Sequence, residues 1–117
     1  MNKTLLVMCV IVMAACGTKK VLTKDDADVA RGALKYPGYT LTEFHAGKTA
    51  TESYCGSCHA LKNPANFNEA QLSTTVPKMV KKANRKAGSE VIDAKTQESI
   101  LKYMVTMSSA PAVEAKN

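Results

Sequence analysis

Residues 54–64, YCGSCHALKNP, carry the pattern that decides how this chain is interpreted. Cys55, Cys58 and His59 stand at positions i, i+3 and i+4, which share one face if the segment is helical. Two such thiols followed at once by an imidazole are typical of a c-type haem attachment site. Zinc sites and thiol redox pairs use the same residue types, so the rest of the chain has to decide between the three.

The start of the 117-residue chain has the features of an export signal. One lysine precedes an uninterrupted apolar run at residues 5–15, which is too short to span a bilayer as a helix. The sequence MAAC at residues 13–16 resembles the lipobox of bacterial lipoproteins, with Met13 where leucine is usual. We therefore expect residues 1–15 to be a lipoprotein signal peptide and Cys16 to be lipidated, with ordinary cleavage near Cys16 as the alternative.

The remaining cysteines are too few for a disulfide scaffold. Cys9 would leave with the signal peptide, and Cys16 would be blocked by its lipid. Only Cys55 and Cys58 would stay, in an exported chain whose compartment is oxidising. Any role of this pair therefore has to be explained without a further cysteine.

Residues 16–40 are polar and mixed in charge, and we expect a lipid-attached tether there. Asp25 and Asp26 precede several apolar residues and predict a possible short helix, acidic at its start as the helix dipole favours. Pro37 and Gly38 should end it.

The compact domain is predicted over residues 41–109, followed by a disordered tail at 110–117. Thr40 and Glu43 have the spacing of a capping box, which would start a helix running towards Tyr54.

Two further helices follow in the predicted domain. The second should begin near Asn66 or Asn68 and end at Gly88, and Pro77 inside it should kink or restart it. Asp93 is a suitable N-cap for the third. The sequence shows no alternating strand pattern, so the predicted class is all-α.

Haem attachment explains the cysteine pair best. Two thiols on one face can add to the two vinyl groups of a porphyrin edge while His59 turns beneath the iron. Zinc commonly needs a second set of ligands, and His45, expected at the surface of the first helix, is the only other histidine. A thioredoxin-like pair needs βαβ patterning, which this chain lacks. A haem would also enlarge a core that has two phenylalanines and no tryptophan.

The chain resembles the small monohaem class I c-type cytochromes, in particular the short lipoprotein-anchored ones of bacteria. The resemblance covers residues 35–109 and rests on YPGYTLTEFHAGK, CGSCHALKNP, VPKMVKKA and ESILKYMVTMS. It implies a small class I cytochrome c fold, with three main helices wrapped around one covalently bound haem. It also implies that the first and last of these helices cross at Gly47 and Tyr103. Thr51 stands where the family often has an aromatic residue.

The resemblance also implies the ligands of the iron. His59 would be the proximal ligand, with its other ring nitrogen donating to a backbone carbonyl in residues 62–64. Met79 would be the opposite ligand, and it also lies in an apolar helical stripe of the kind in which methionine is usually core. Met104 and Met107 are expected in the core. An open or histidine-ligated sixth position is the alternative to Met79.

Five cations without an acid among them follow one helical face beside Met79. They are Lys78, Lys81, Lys82, Arg85 and Lys86. A solvated helix face is the simpler interpretation, although like charges at i, i+4 destabilise a helix by a few tenths of a kcal/mol per pair. If Met79 faces the iron, this basic stripe would border the haem and could steer an acidic partner.

The sequence thus predicts a one-electron carrier with one covalent haem c, and not an enzyme. A haem-based gas-binding or sensing module with an open sixth site is the first alternative, and a thiol–disulfide redox protein is the second. The expected partners are acidic redox proteins or a respiratory complex, with no nucleic acid and no small-molecule substrate. The expected location is the periplasmic side of a membrane, held by the N-terminal lipid.

Overall fold

A computed structural model describes residues 22–110 of the chain. The predicted signal peptide, the lipidation at Cys16 and the tail from residue 111 lie outside these residues. Residues 22–110 contain helices and connecting turns and no strand, which confirms the all-α class.

The described chain forms four α-helices and two short helical segments. In chain order they are α1 (Lys24–Ala33), α2 (Leu41–Ala50), a π-helical segment (Thr51–Cys55), a 3₁₀ turn (Pro64–Asn66), α3 (Glu69–Ala87) and α4 (Ala94–Ser108). The three main helices expected from the sequence are α2, α3 and α4.

The helix ends are set by local hydrogen bonds that the sequence predicts. Glu43 N–H donates to Thr40 Oγ1 at 3.2 Å and Thr40 N–H donates to Glu43 Oε2 at 3.0 Å, which completes a capping box at the start of α2. Asn68 and Gln71 form the equivalent box at α3, so that the helix starts from Asn68 and not Asn66.

The connection between α3 and α4 also follows the sequence prediction. Gly88 ends α3 in the left-handed region at φ 73°, where a glycine has no steric penalty. Asp93 then caps α4 by accepting from Thr96 N–H at 2.7 Å.

Pro77 does not restart α3, which runs as one helix from Glu69 to Ala87. A proline leaves the carbonyl four residues earlier without its helical donor, which here is the carbonyl of Ser73. Ser73 is exposed, so water can satisfy that carbonyl, and the helix continues.

The short helix predicted within residues 16–40 is present as α1, and it packs on the domain. Arg31 on α1 donates from Nη2 to the carbonyl of Thr106 on α4 at 3.0 Å, and it pairs with the buried Asp28 at 2.8 Å. Gly32 lies so close to Thr106 and Tyr39 that a Cβ there would be 2.7 Å from each side chain. The compact unit therefore begins near Thr23, with a capping box of its own.

The core lies between α2, α3 and α4. Gly47 lets α2 approach α4, because a Cβ at Gly47 would lie 2.7 Å from Cβ of Tyr103 and would collide with the backbone of Ser99. Phe44, 1% exposed, stacks edge-on with Tyr103 at 5.3 Å between ring centroids. The close helix crossing expected at Gly47 and Tyr103 is therefore present.

An apolar cluster joins residues of α2, α3, α4 and the loop before α4. It consists of Ala50, Val76, Val80, Ile92 and Ile100. One side of this cluster forms the wall of the site described next.

Candidate functional site

A large apolar cleft lies between α3, α4 and the segment that contains the two cysteines. Its volume is about 880 Å³, which is within the range of small-molecule and cofactor sites. Much of its apolar wall comes from Leu72, Val76 and Val80 of α3, Ile92, and Ile100 and Met104 of α4.

Cys55, Cys58 and His59 all line this cleft, although they do not share a regular helical turn. α2 passes at Thr51 into the π-helical segment, which ends at Cys55, and Cys58 and His59 follow in a turn and a bend. The expected α-helical run to Tyr54 is thus replaced by a π-turn, a feature common at functional sites.

The side chain of Thr51 bonds back into α2 at the point where the helix type changes. Its side chain is buried, and its Oγ1 donates to the carbonyl of Gly47 at 2.7 Å. A hydroxyl that bonds back to the preceding turn often bends a helix. Thr51 also lines the cleft, where it occupies less space than an aromatic side chain would.

The His59 ring is held by a backbone contact. Its Nδ1 lies 2.8 Å from the carbonyl oxygen of Ala60, which requires the proton on Nδ1 for a hydrogen bond. The acceptor is thus Ala60 and not residues 62–64, because the chain bends directly after the ring. With Nδ1 protonated, Nε2 of a neutral imidazole carries a free lone pair.

The two thiols are unpaired and differ in their surroundings. Burial raises the pKa of the Cys55 thiol. The Ser57 hydroxyl, 3.8 Å away, and the Lys86 ammonium, 3.6 Å away, hold the pKa of the exposed Cys58 thiol below its ordinary value. Cys58 is therefore the more readily deprotonated thiol of the pair.

Two methionines line the same cleft. Met79 on α3 is 38% exposed, so its thioether is at the cleft surface and not packed in the core. Met104 on α4 is half-buried and packs against the apolar cluster. The prediction that Met104 is core is thus incomplete, because its side chain belongs to both the core and the cleft wall.

The basic stripe divides into two parts. All five of its residues are exposed, but only Lys82, Arg85 and Lys86 line the cleft, while Lys78 and Lys81 do not. None of the five forms an ion pair with an acid within residues 22–110. By contrast, Lys35 and Lys102 are both paired.

Several residues that line the cleft could not be predicted from sequence patterns. Ile92 lies in a loop and is 2% exposed, and Leu61, 49% exposed, forms part of the cleft lining. Neither belongs to a helical periodic pattern from which its burial or exposure could be inferred.

No family model, no curated protein and no solved structure matches this chain.

Two further observations concern the part of the chain that the structure describes. No group of three His, Cys, Asp or Glu side chains comes together there in a way that could hold a metal ion by itself. None of the helices in residues 22–110 is both long and apolar enough to cross a membrane.

Proposed function

We propose that this protein is a one-electron carrier that holds one covalently attached haem c in the cleft. The proposal rests on the observation that a single apolar cleft is lined by Cys55, Cys58, His59 and Met79. Cys55 lies in the π-helical segment, Cys58 and His59 in the turn and bend that follow it, and Met79 on α3. When bound, the haem iron supplies a reversible one-electron change, for which the protein needs no catalytic residue.

The residues of the cleft fit such a group in their chemistry. Cys55 and Cys58 are free thiols, as thioether formation requires. His59 offers Nε2 as an axial ligand, since Nδ1 is oriented by the carbonyl of Ala60. Met79 offers a thioether from α3, and the apolar wall would surround a porphyrin.

The proposal includes the small class I cytochrome c fold. Support comes from the contact of Gly47 with Tyr103 where α2 crosses α4, which is the helix crossing that the resemblance implies. α1 would be an addition to that fold that covers the end of α4.

Absorbance of the pyridine haemochrome tests the attachment. The exported chain, produced in cells that can attach haem, should carry one covalent haem, and the double variant Cys55→Ala, Cys58→Ala should carry none. A colourless wild-type protein would overturn the proposal, and reversible dithiol titration of the same sample would then favour a thiol–disulfide protein.

We further propose that the head is tethered to the periplasmic side of a membrane by lipid on Cys16. Support comes from the sequence features of residues 1–16 alone. Mass spectrometry of the mature N-terminus tests it, and a Cys16→Ser variant should leave the membrane fraction if the lipid is the anchor.

The same proposal assigns the basic stripe to docking of an acidic redox partner or a respiratory complex. The supporting observation is that its five cations are free of ion pairs within residues 22–110, and three of them border the cleft. Positive charge next to a redox centre raises the rate of encounter with an acidic partner.

A further inference from the structure

One side chain of α3 holds the loop that leads to α4. Asn84 Nδ2 donates to the carbonyl of Ile92 at 2.9 Å, and Ile92 N–H donates to Asn84 Oδ1 at 2.9 Å. Both groups are partly buried, and the two residues are eight positions apart. The amide thus pairs with both backbone groups of a single residue.

The Asn84 amide supplies both the donor and the acceptor that this pair of bonds needs. A carboxylate has no donor for the carbonyl of Ile92, and an aliphatic side chain has neither donor nor acceptor. The loop residues before Ile92, namely Ser89, Glu90 and Val91, are exposed and offer little packing to hold the loop in place.

The residue that Asn84 holds is part of the cleft. Ile92 is 2% exposed, packs with Val80 and Ile100 in the apolar cluster, and lines the cleft. If its backbone were released, the side chain could leave the wall and water could enter. Access of water is one of the factors that set the potential of a buried redox group.

We propose that Asn84 is a positioning residue that keeps Ile92 in the cleft wall and thereby sets the redox environment of the site. Its effect on potential rests on the proposed function, whereas its hold on Ile92 does not. The neighbouring residues Ala83 and Arg85 line the cleft directly, whereas Asn84 acts on the cleft through Ile92.

The test compares Asn84→Ala and Asn84→Asp with a matched control, Thr74→Ala, in the full haem-loaded chain. Thr74 also donates to a backbone carbonyl, that of Ala70, but within α3 itself. In Asn84→Ala, amide exchange at Ile92 should be about tenfold faster and the midpoint potential should fall, because water stabilises the more charged oxidised state. Asn84→Asp retains the acceptor and should show part of the exchange effect, but its added negative charge lowers the potential by itself, so the potential is compared between wild type and Asn84→Ala. Thr74→Ala should show neither effect.

Two results would overturn the proposal. Unchanged exchange at Ile92 in Asn84→Ala would show that the loop is held by other contacts. Faster exchange with an unchanged potential would show that Asn84 supports the fold and does not tune the site. If the wild-type chain took up no haem, the proposed function would fail, and exchange in the haem-free full chain, together with binding of an apolar fluorescent dye, would still decide whether Asn84 keeps the cleft closed.

Discussion

Gly47 lies directly against Tyr103 at the point where α2 crosses α4, and a Cβ added at Gly47 would be 2.7 Å from Cβ of Tyr103. The backbone of Ser99 blocks the same space, and backbone cannot move aside as a flexible side chain can. This contact fixes the distance between the two helices, and with it the position of the stacked ring of Phe44.

Gly47→Ala should therefore destabilise the protein. The methyl group has no room, and such overpacking typically costs about 1–3 kcal/mol in the free energy of unfolding. Urea unfolding followed by circular dichroism measures this, with Ala46→Ser on the exposed face of α2 as the control, expected within about 0.5 kcal/mol of wild type. Equal stability of the two variants would contradict the close crossing.

Arg31→Ala should release α1 from α4. The change removes the bonds from Arg31 to the carbonyl of Thr106 and leaves Asp28, whose side chain is 7% exposed, without its partner. Hydrogen bonds of charged groups contribute about 1.5–3 kcal/mol each when a partner is lost, so we expect a loss of about that size.

Thermal unfolding and proteolysis near α1 check this prediction. Lys81→Ala, an exposed change on α3, is the control and should stay within about 0.5 kcal/mol of wild type. An Arg31→Ala protein as stable as the control would mean that α1 contributes little to the domain.

Tyr39→Phe should change how stability depends on alkaline pH. Burial raises the pKa of Tyr39 to about 12 from 10.0. Its contribution is therefore complete below pH 10 and is lost as the pH rises towards 12, because the unfolded chain ionises first. The phenylalanine variant should lose less stability across this range, by on the order of 1–2 kcal/mol.

At neutral pH the same variant should be close to wild type. Neither the Tyr39 hydroxyl nor that of Thr106 makes a hydrogen bond within residues 22–110, and both oxygens are buried. Removing a buried hydroxyl without a partner costs little, so the change should stay within about 1 kcal/mol. Urea midpoints at neutral pH and above pH 10 provide both values, and parallel pH profiles for the two proteins would refute the role of Tyr39.

Met79→Ala should open the sixth coordination position, if the proposed function is correct. The reduced variant should bind carbon monoxide rapidly and have a lower midpoint potential, since a thioether ligand raises the potential. Met104→Ala is the matched control and should keep the resistance of wild type to carbon monoxide. Rapid carbon monoxide binding by the wild-type protein would instead support the gas-binding alternative. If Met104→Ala bound carbon monoxide rapidly and Met79→Ala did not, the sixth ligand would be Met104 on α4.

Charge reversal should reveal which part of the basic stripe contacts the partner. The pair Lys82→Glu and Lys86→Glu borders the cleft, while the pair Lys78→Glu and Lys81→Glu does not. The first pair should slow association with an acidic electron partner by roughly tenfold at low salt, and the second pair should slow it less. Equal haem content has to be established first, because Lys86 lies near Cys58. An association rate without salt dependence would favour a merely solvated face.

The sequence by itself determined the features that depend on neighbouring residues. The capping boxes at Thr40 and Asn68, the cap at Asp93 and the end of α3 at Gly88 follow from hydrogen bonds or backbone angles within a few residues. Such interactions are present in any chain with those residues at that spacing, so a pattern is enough to find them.

Only the tertiary structure decided the features that join distant residues. Arg31 contacts Thr106 across 75 positions, Asn84 bonds to a loop residue, and Cys55 at the end of the π-helical segment lines the cleft. These contacts depend on which elements pack together and on the water they exclude, and neither is encoded in the spacing of neighbouring side chains. For the same reason, the motif at residues 55–59 was enough to predict haem attachment, whereas only the packing of α3 and α4 shows that Met79 and Met104 line the same cleft.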